Sequence, residues 1–221
     1  IPFVSKTTNT PLAKIAAQIA GGAKLNNFKL KDWRHYEHIA VKEAVLPFNK
    51  FPEESIFLSP EMKSTGEVMG ISKTMGESFL RASISAGNNL PKNGKVFISV
   101  NDGDKKAIIP IAKKLDRFGF SIVATSGTSS LLNVNGVSTD KIYKVGEGRP
   151  NVVDGIKNGE INLVINTPLG AQSRFDEEAI GKACIKKGIL AITTLSGANA
   201  ALDAVSHKDD FSVRSIQDYH L

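Results

Sequence analysis

The sequence predicts an α/β protein: a doubly wound parallel sheet of about five strands in the second half, preceded by an α+β segment. Three observations carry that expectation. Beyond residue 94, short apolar runs alternate with helical stretches; residues 87–94 gather Gly, Asn and Pro in one block; and the residues that follow the apolar runs are polar. Neighbouring parallel strands need a crossover between them, so repeated alternation places the sheet centrally with helices on both faces.

The first half is patterned differently. Residues 10–22 carry helix signals at both ends: Thr10 as N-cap, Pro11 in the first turn, apolar residues at helical spacing, then Gly21-Gly22 as a stop. Residues 38–46 alternate as a strand does, residues 48–60 are broken by Pro52 and Pro60 and read as irregular, and residues 72–86 read as a helix. The linker block then sets a boundary, giving domains at 1–88 and 89–221. After it come apolar runs at 95–100, 121–124, 141–145, 161–165 and 190–193, with helices starting near Lys105, Thr128, Asn151, Asp176 and Gly197.

Composition narrows the function classes. With 41% hydrophobic and 23% charged residues the chain is globular, and no apolar run approaches the roughly 20 residues that span a bilayer. It opens on Ile1-Pro2-Phe3-Val4, mid-segment and without a signal-peptide pattern, and so reads as a piece of a longer polypeptide. Cys184 is the single cysteine, which excludes an intrachain disulfide, a thiolate zinc site and a CxxC motif, and fits a reducing cytoplasm. The net charge of +6 divides evenly, with 11 basic and 8 acidic residues in 1–88 and 17 and 14 in 89–221. Basic residues lie among acidic ones, as in Asp102-Gly103-Asp104-Lys105-Lys106, so a solvated mixed surface is favoured over a nucleic-acid face. His35, His38, His207 and His220 have no metal-site or triad spacing, and Asp203, Asp209 and Asp210 read as solvated.

In an open parallel sheet the ligand crevice lies beyond the carboxyl ends of the strands. There the sequence offers Ser99 and Asn101 to Lys105 after the first run, Thr125-Ser126-Gly127-Thr128 after the second, Lys144 in the third, and Asn166-Thr167-Pro168 after the fourth. The TxGT turn suits a phosphate, since Gly127 lets backbone approach closely and the following helix offers free N–H groups; it suits a hydroxyl-rich helix cap equally well. Each lysine alone is an ordinary surface cation, but Lys105 and Lys144 beside a helix N-terminus together call for an anion. Several charge-assisted hydrogen bonds of about 1.5–3 kcal/mol each, less ordering costs, give roughly micromolar affinity, near 8 kcal/mol. Asn166 both donates and accepts, as recognition of a sugar or base requires, which suits a nucleoside monophosphate.

The same residues carry a family resemblance. Pro2-Phe3-Val4-Ser5-Lys6, Thr10-Pro11-Leu12-Ala13-Lys14-Ile15-Ala16, Val45-Leu46-Pro47-Phe48-Asn49-Lys50-Phe51-Pro52 and Glu61-Met62-Lys63-Ser64-Thr65-Gly66-Glu67-Val68-Met69-Gly70 resemble the end of the second ATP-grasp half of the carbamoyl-phosphate synthetase large-subunit family. Glu147-Gly148-Arg149-Pro150, Lys157-Asn158-Gly159-Glu160 and Ile165-Asn166-Thr167 resemble its C-terminal regulatory domain, whose fold is that of methylglyoxal synthase. The resemblance implies UMP or IMP as effector at Ser99, Lys105, Thr125, Thr128, Lys144 and Asn166, with Ser99 carried by the resemblance alone. A further family contact, a threonine, is Pro168 here. Some members respond to ornithine at the domain junction, where Glu43 and Thr193 match contacts and a tyrosine position is Ala191.

The resemblance also implies a full-length enzyme using ATP with Mg or Mn, a glutaminase small subunit and association between large subunits. The catalytic metal and phosphate ligands would precede Ile1, so this piece is expected to be inactive alone and to hold no cofactor or metal. Glu43, Glu61 and Glu67 read as salt-bridged framework. Methylglyoxal synthase itself is disfavoured because its chemistry needs a carboxylate at the phosphate, and this chain has Thr167 before Pro168-Leu169 and no aspartate in Gly146-Glu147-Gly148-Arg149-Pro150. A purely structural role with an empty cleft is the other reading.

Overall fold

A computed structural model describes residues 1–32, 34, 36–46, 66–167, 174–207 and 212–220. The irregular stretch at 48–60, the motif residues 47–52 and 61–65, and His35, Glu61, Pro168, Asp209 and Asp210 lie outside the described residues.

The chain opens with α1 (Pro2–Thr7), which the sequence reading did not foresee, and α2 (Leu12–Ala20). Thr10 does not cap α2 as expected: Pro11 holds the N-cap position, and the Thr10 hydroxyl donates to the Thr8 carbonyl at 3.0 Å. Strand β1 (Ile39–Val45) falls where the alternation placed it and pairs antiparallel with β2 (Gly66–Ser72). The second strand was missed because its residues, Gly66-Glu67-Val68-Met69-Gly70-Ile71-Ser72, do not alternate cleanly. The helix expected from residue 72 therefore starts later, as α3 (Met75–Ser85), capped by Thr74, whose hydroxyl accepts from the Glu77 N–H at 3.2 Å. At Gly70 the strand approaches α3 so closely that a Cβ would overlap the Ser78 carbonyl oxygen, which is what requires glycine there.

The second half is the expected doubly wound sheet. Its elements are β3 (Gly94–Val100), α4 (Lys105–Arg117), β4 (Phe120–Ala124), α5 (Ser126–Val134), β5 (Asp140–Lys141), α6 (Val152–Lys157), β6 (Leu163–Thr167), α7 (Arg174–Lys187), β7 (Leu190–Ile192) and α8 (Leu195–Ser206). The five strands lie in the order β5-β4-β3-β6-β7, and every pair is parallel. Two boundaries differ from expectation. β5 is two residues long because the chain leaves its one ladder partner, β4, and touches strand geometry again only at a Tyr143–Asn151 bridge. β6 begins two residues later than the apolar run, as Ile161 packs into the core ahead of the ladder.

Burial on both faces is what a central parallel strand requires. Val96 and Ile98 of β3 pack with Ile108, Ile111 and Leu115 of α4 and Ala201 and Leu202 of α8, while Phe97 turns to the other face with Val164, Ile156 and Ile180. Leu80 and Leu90 belong to the first of these clusters, so one apolar core runs continuously across residues 87–94.

Candidate functional site

The strand order reverses at β3: the chain leaves it toward β4 and β5, then returns to lay β6 on its other side. Such a point opens a crevice at the carboxyl ends of the two strands. Ser99 and Asn166 stand opposite each other there in the β3–β6 ladder. Below them Asn101 ties the ends together, its side-chain amide donating to the Thr167 carbonyl at 3.1 Å, the Thr167 hydroxyl at 3.2 Å and the Asp104 carboxylate at 2.8 Å.

The TxGT turn enters from the neighbouring strand. Thr125 and Thr128 are 5% and 1% exposed, which their polarity makes costly unless the hydroxyls are used. Thr125 occupies the N-cap position of α5 but makes no side-chain cap bond; its hydroxyl points instead to Ser99 Oγ and Thr128 Oγ1, both at 3.4 Å. The cap reading of this turn is thereby corrected. Three hydroxyls cluster over an uncapped helix N-terminus, where backbone N–H groups and the helix dipole favour negative charge.

Both lysines carry a carboxylate of their own. Lys105, the first residue of α4, has its ammonium 2.6 Å from Asp102 Oδ1 and reaches over the start of α5, where a Cβ on Gly127 would lie 3.6 Å from it. Lys144 follows β5, with its ammonium 4.0 Å from Glu147 Oε1 and its N–H donating to Glu147 Oε2 at 3.2 Å. The hydrogen bond and charge of Lys105 hold the Asp102 carboxyl below its usual range, with a smaller contribution from the charge of Lys144. Asp102 and Glu147 were not among the expected site residues; their spacing of three residues from each lysine was the available clue. A concavity of about 470 Å³ is lined by Val145, Gly146, Arg149, Val153, Lys157 and Ala179 among others, and none of Ser99, Lys105, Thr125, Thr128, Lys144 and Asn166 lines it.

Elsewhere the expectations divide. Glu43 is framework, with no salt bridge among the described residues: its carboxylate accepts from Asn88 Nδ2 at 2.5 Å and Ser83 Oγ at 3.2 Å. Glu67 pairs with Lys42 at 2.5 Å, as read, and Thr193 is exposed after β7. Asp203, read as solvated, pairs with Lys114 at 2.5 Å. His38 and His220 lie 2.8 and 2.9 Å from the carbonyls of Thr7 and Lys6, which fixes the end of the chain against its beginning. Among the described residues no three His, Cys, Asp or Glu gather as a metal site, and no helix is long and apolar enough to cross a membrane.

Comparison with known proteins agrees with this architecture. Residues 107–193 match the family model of the MGS-like domain. Over its whole length the chain is 47% identical to the carbamoyl phosphate synthase large chain of Acidobacterium capsulatum and to that of Pasteurella multocida. It is 46% identical, again over its whole length, to the large chain of Archaeoglobus fulgidus. Against all three it spans 21% of the relative's length. A crystal structure of ForH covers 55% of this chain and 83% of its own, at 17% identity and a TM-score of 0.39, too slight a likeness to build on.

Fold and sequence together define the class first: an α/β protein whose second half contains an MGS-like domain. Over its whole length the chain is similar to a region making up about a fifth of carbamoyl phosphate synthase large chains, as its motifs implied.

Proposed function

We propose that the cleft at the carboxyl ends of β3, β4 and β6 binds a nucleoside monophosphate such as UMP or IMP, and that this controls ATP-dependent carbamoyl phosphate synthesis by the large chain to which the region belongs. The observation that carries the reading is the convergence of Lys105 and three hydroxyls on the uncapped start of α5, with Lys144 supplied by the chain that follows the neighbouring strand β5. Two cations and free N–H groups hold a phosphate, and Asn166 reads the sugar or base. In the same reading the parent is a cytoplasmic, glutamine-hydrolysing ligase of pyrimidine and arginine biosynthesis that uses ATP with Mg or Mn. A glutaminase small subunit is its partner, and the present region is inactive alone. Glu43 and Thr193 are the matching positions for ornithine.

Upstream parts of such a large chain are the proposed partner of the first half, and one feature supports this: among described residues 1–46 only Thr7 is buried, although α2 is almost wholly apolar. A further copy of the large chain is the other surface this half could meet. Effector binding acts on catalysis only if the nucleotide prefers one arrangement of these contacts over another.

Isothermal calorimetry of the chain with UMP and with IMP tests the reading. Saturable heat with UMP, absent from Lys105→Ala, is expected. Absence of saturable binding by either nucleotide would leave only the structural role.

A further inference from the structure

Each of the two cleft lysines has a carboxylate beside it. Lys105 and Lys144 bring two positive charges, and Asp102 and Glu147 bring two negative ones at 2.6 and 4.0 Å from them. The two pairs are built differently. Glu147 is committed to its own turn, since its second oxygen accepts the Lys144 N–H. Asp102 is 93% exposed and, among the described residues, its carboxylate is anchored to Lys105 and to no backbone group. Lys105 is only 33% exposed and stays beside the start of α5. One partner can swing into solvent while the other keeps its place.

We propose that Asp102 is a built-in competitor for the ligand anion, occupying Lys105 until a doubly charged phosphate displaces it and so setting the cleft to prefer dianions over monoanions. The inference rests on the reading of this cleft as a phosphate-binding effector site. A singly charged ligand exchanges one carboxylate for an equal charge and gains little from Lys105. A dianion is drawn by Lys105, Lys144 and the α5 N-terminus together and offsets the loss of the Asp102 pair. The groups facing the exchange are Asp102, Asp104, Lys105, Lys144 and Glu147. Asp102, whose carboxyl Lys105 holds below its usual range, stays ionised where a phosphate monoester changes charge, since that second ionisation lies near pH ~6. The pair is a surface one, so its effect on affinity is moderate, about two- to fivefold.

The test is calorimetry on the 221-residue chain with UMP and with inorganic phosphate at pH 7.5 and 5.5, using wild type, the neutral variants Asp102→Asn and Asp102→Ser, and Asp116→Asn as a control. Both neutral variants are expected to bind UMP about two- to fivefold more tightly at pH 7.5, and to gain more at pH 5.5 where the phosphate is singly charged. Asp116→Asn, which removes an exposed carboxylate at the far end of α4, is expected to leave UMP affinity unchanged, whereas a general effect of surface charge would raise it as well. Wild-type binding of UMP with unchanged or weakened binding by both neutral variants overturns the competitor role while leaving the effector reading intact. No binding of UMP or phosphate by any variant overturns both.

Discussion

Thr128 is 1% exposed, and the contact its hydroxyl makes with Thr125, at 3.4 Å, is too long to contribute much. In the proposed effector reading a bound nucleotide gives that hydroxyl a second partner. Thr128→Val keeps the shape and removes the oxygen, so it is expected to leave thermal stability nearly unchanged. UMP affinity should fall by the value of one hydrogen bond, about 0.5–1.5 kcal/mol, or roughly two- to twelvefold. Parallel melting curves and calorimetry check this; a large drop in melting temperature with unaltered affinity would assign the hydroxyl to the fold. Cys184 shows the contrasting case, a buried side chain with no chemistry to do: burial pushes its thiol up to about 12, which keeps it an unreactive member of the α7 core.

At the scale of elements, α3 is the piece that joins the two halves. It lies against the β1–β2 pair on one side and α8 on the other, and at Gly76 a Cβ would come within 2.6 Å of the Asp203 carbonyl oxygen. Its first turn is fixed by Glu77, whose carboxylate accepts from Ser72 Oγ and, at 2.5 Å, from Arg81; Arg81 also donates to the Ser212 carbonyl. Burial alone would raise the Glu77 carboxyl, but the bonds from Ser72 and Arg81 outweigh it and hold it below its ordinary value of 4.5. A depressed carboxyl stabilises the fold above its unfolded value, and that contribution is lost as pH falls from about 4.5 through the folded value. Glu77→Gln is therefore expected to be less stable than wild type at pH 7 and to show a flatter decline in stability between about pH 5 and 3. Denaturant unfolding across that range measures it, and two parallel pH profiles would show that Glu77 contributes nothing to the acid limb.

For the whole molecule the question is where the stable unit begins. The linker composition at 87–94 suggests a cut near residue 89, yet Leu80 and Leu90 are both 1% exposed within the core that holds Val96, Ile108 and Leu202. Removing α3 uncovers that side of α8. A truncation covering 89–221 is expected to melt below one covering 66–221 by on the order of 5–10 °C, given about 1.5–3 kcal/mol for each large apolar side chain re-exposed. Equal melting temperatures would make the linker a true boundary of stability. Residues 1–46 contribute little to this core, since only Thr7 of their described members is buried.

Much of this was legible in the residues. The apolar runs gave four of the five parallel strands to within two residues, because a strand buried on both faces writes itself as a continuous Val, Ile and Phe run that needs no partner to be recognised. The fifth, β5, was overextended: Ile142 and Val145 are apolar because they pack against the second core cluster from a loop, and composition does not separate that from a ladder. The short polar–apolar pattern of β2 was lost in the same way, since its burial depends on α3 lying over it.

At the cleft, sequence by itself determined which residue types stand at the strand ends, because parallel topology and strand order follow from the alternation of runs and helices. Tertiary structure decided what those residues do before a ligand arrives. That Ser99 faces Asn166, that the Thr125 hydroxyl turns from the helix to its neighbours, and that Asp102 and Glu147 stand over the two lysines are matters of register and rotamer. They are fixed by distances of a few ångströms between segments tens of residues apart, and a charge on a sequence carries no record of which opposite charge the fold will bring to it.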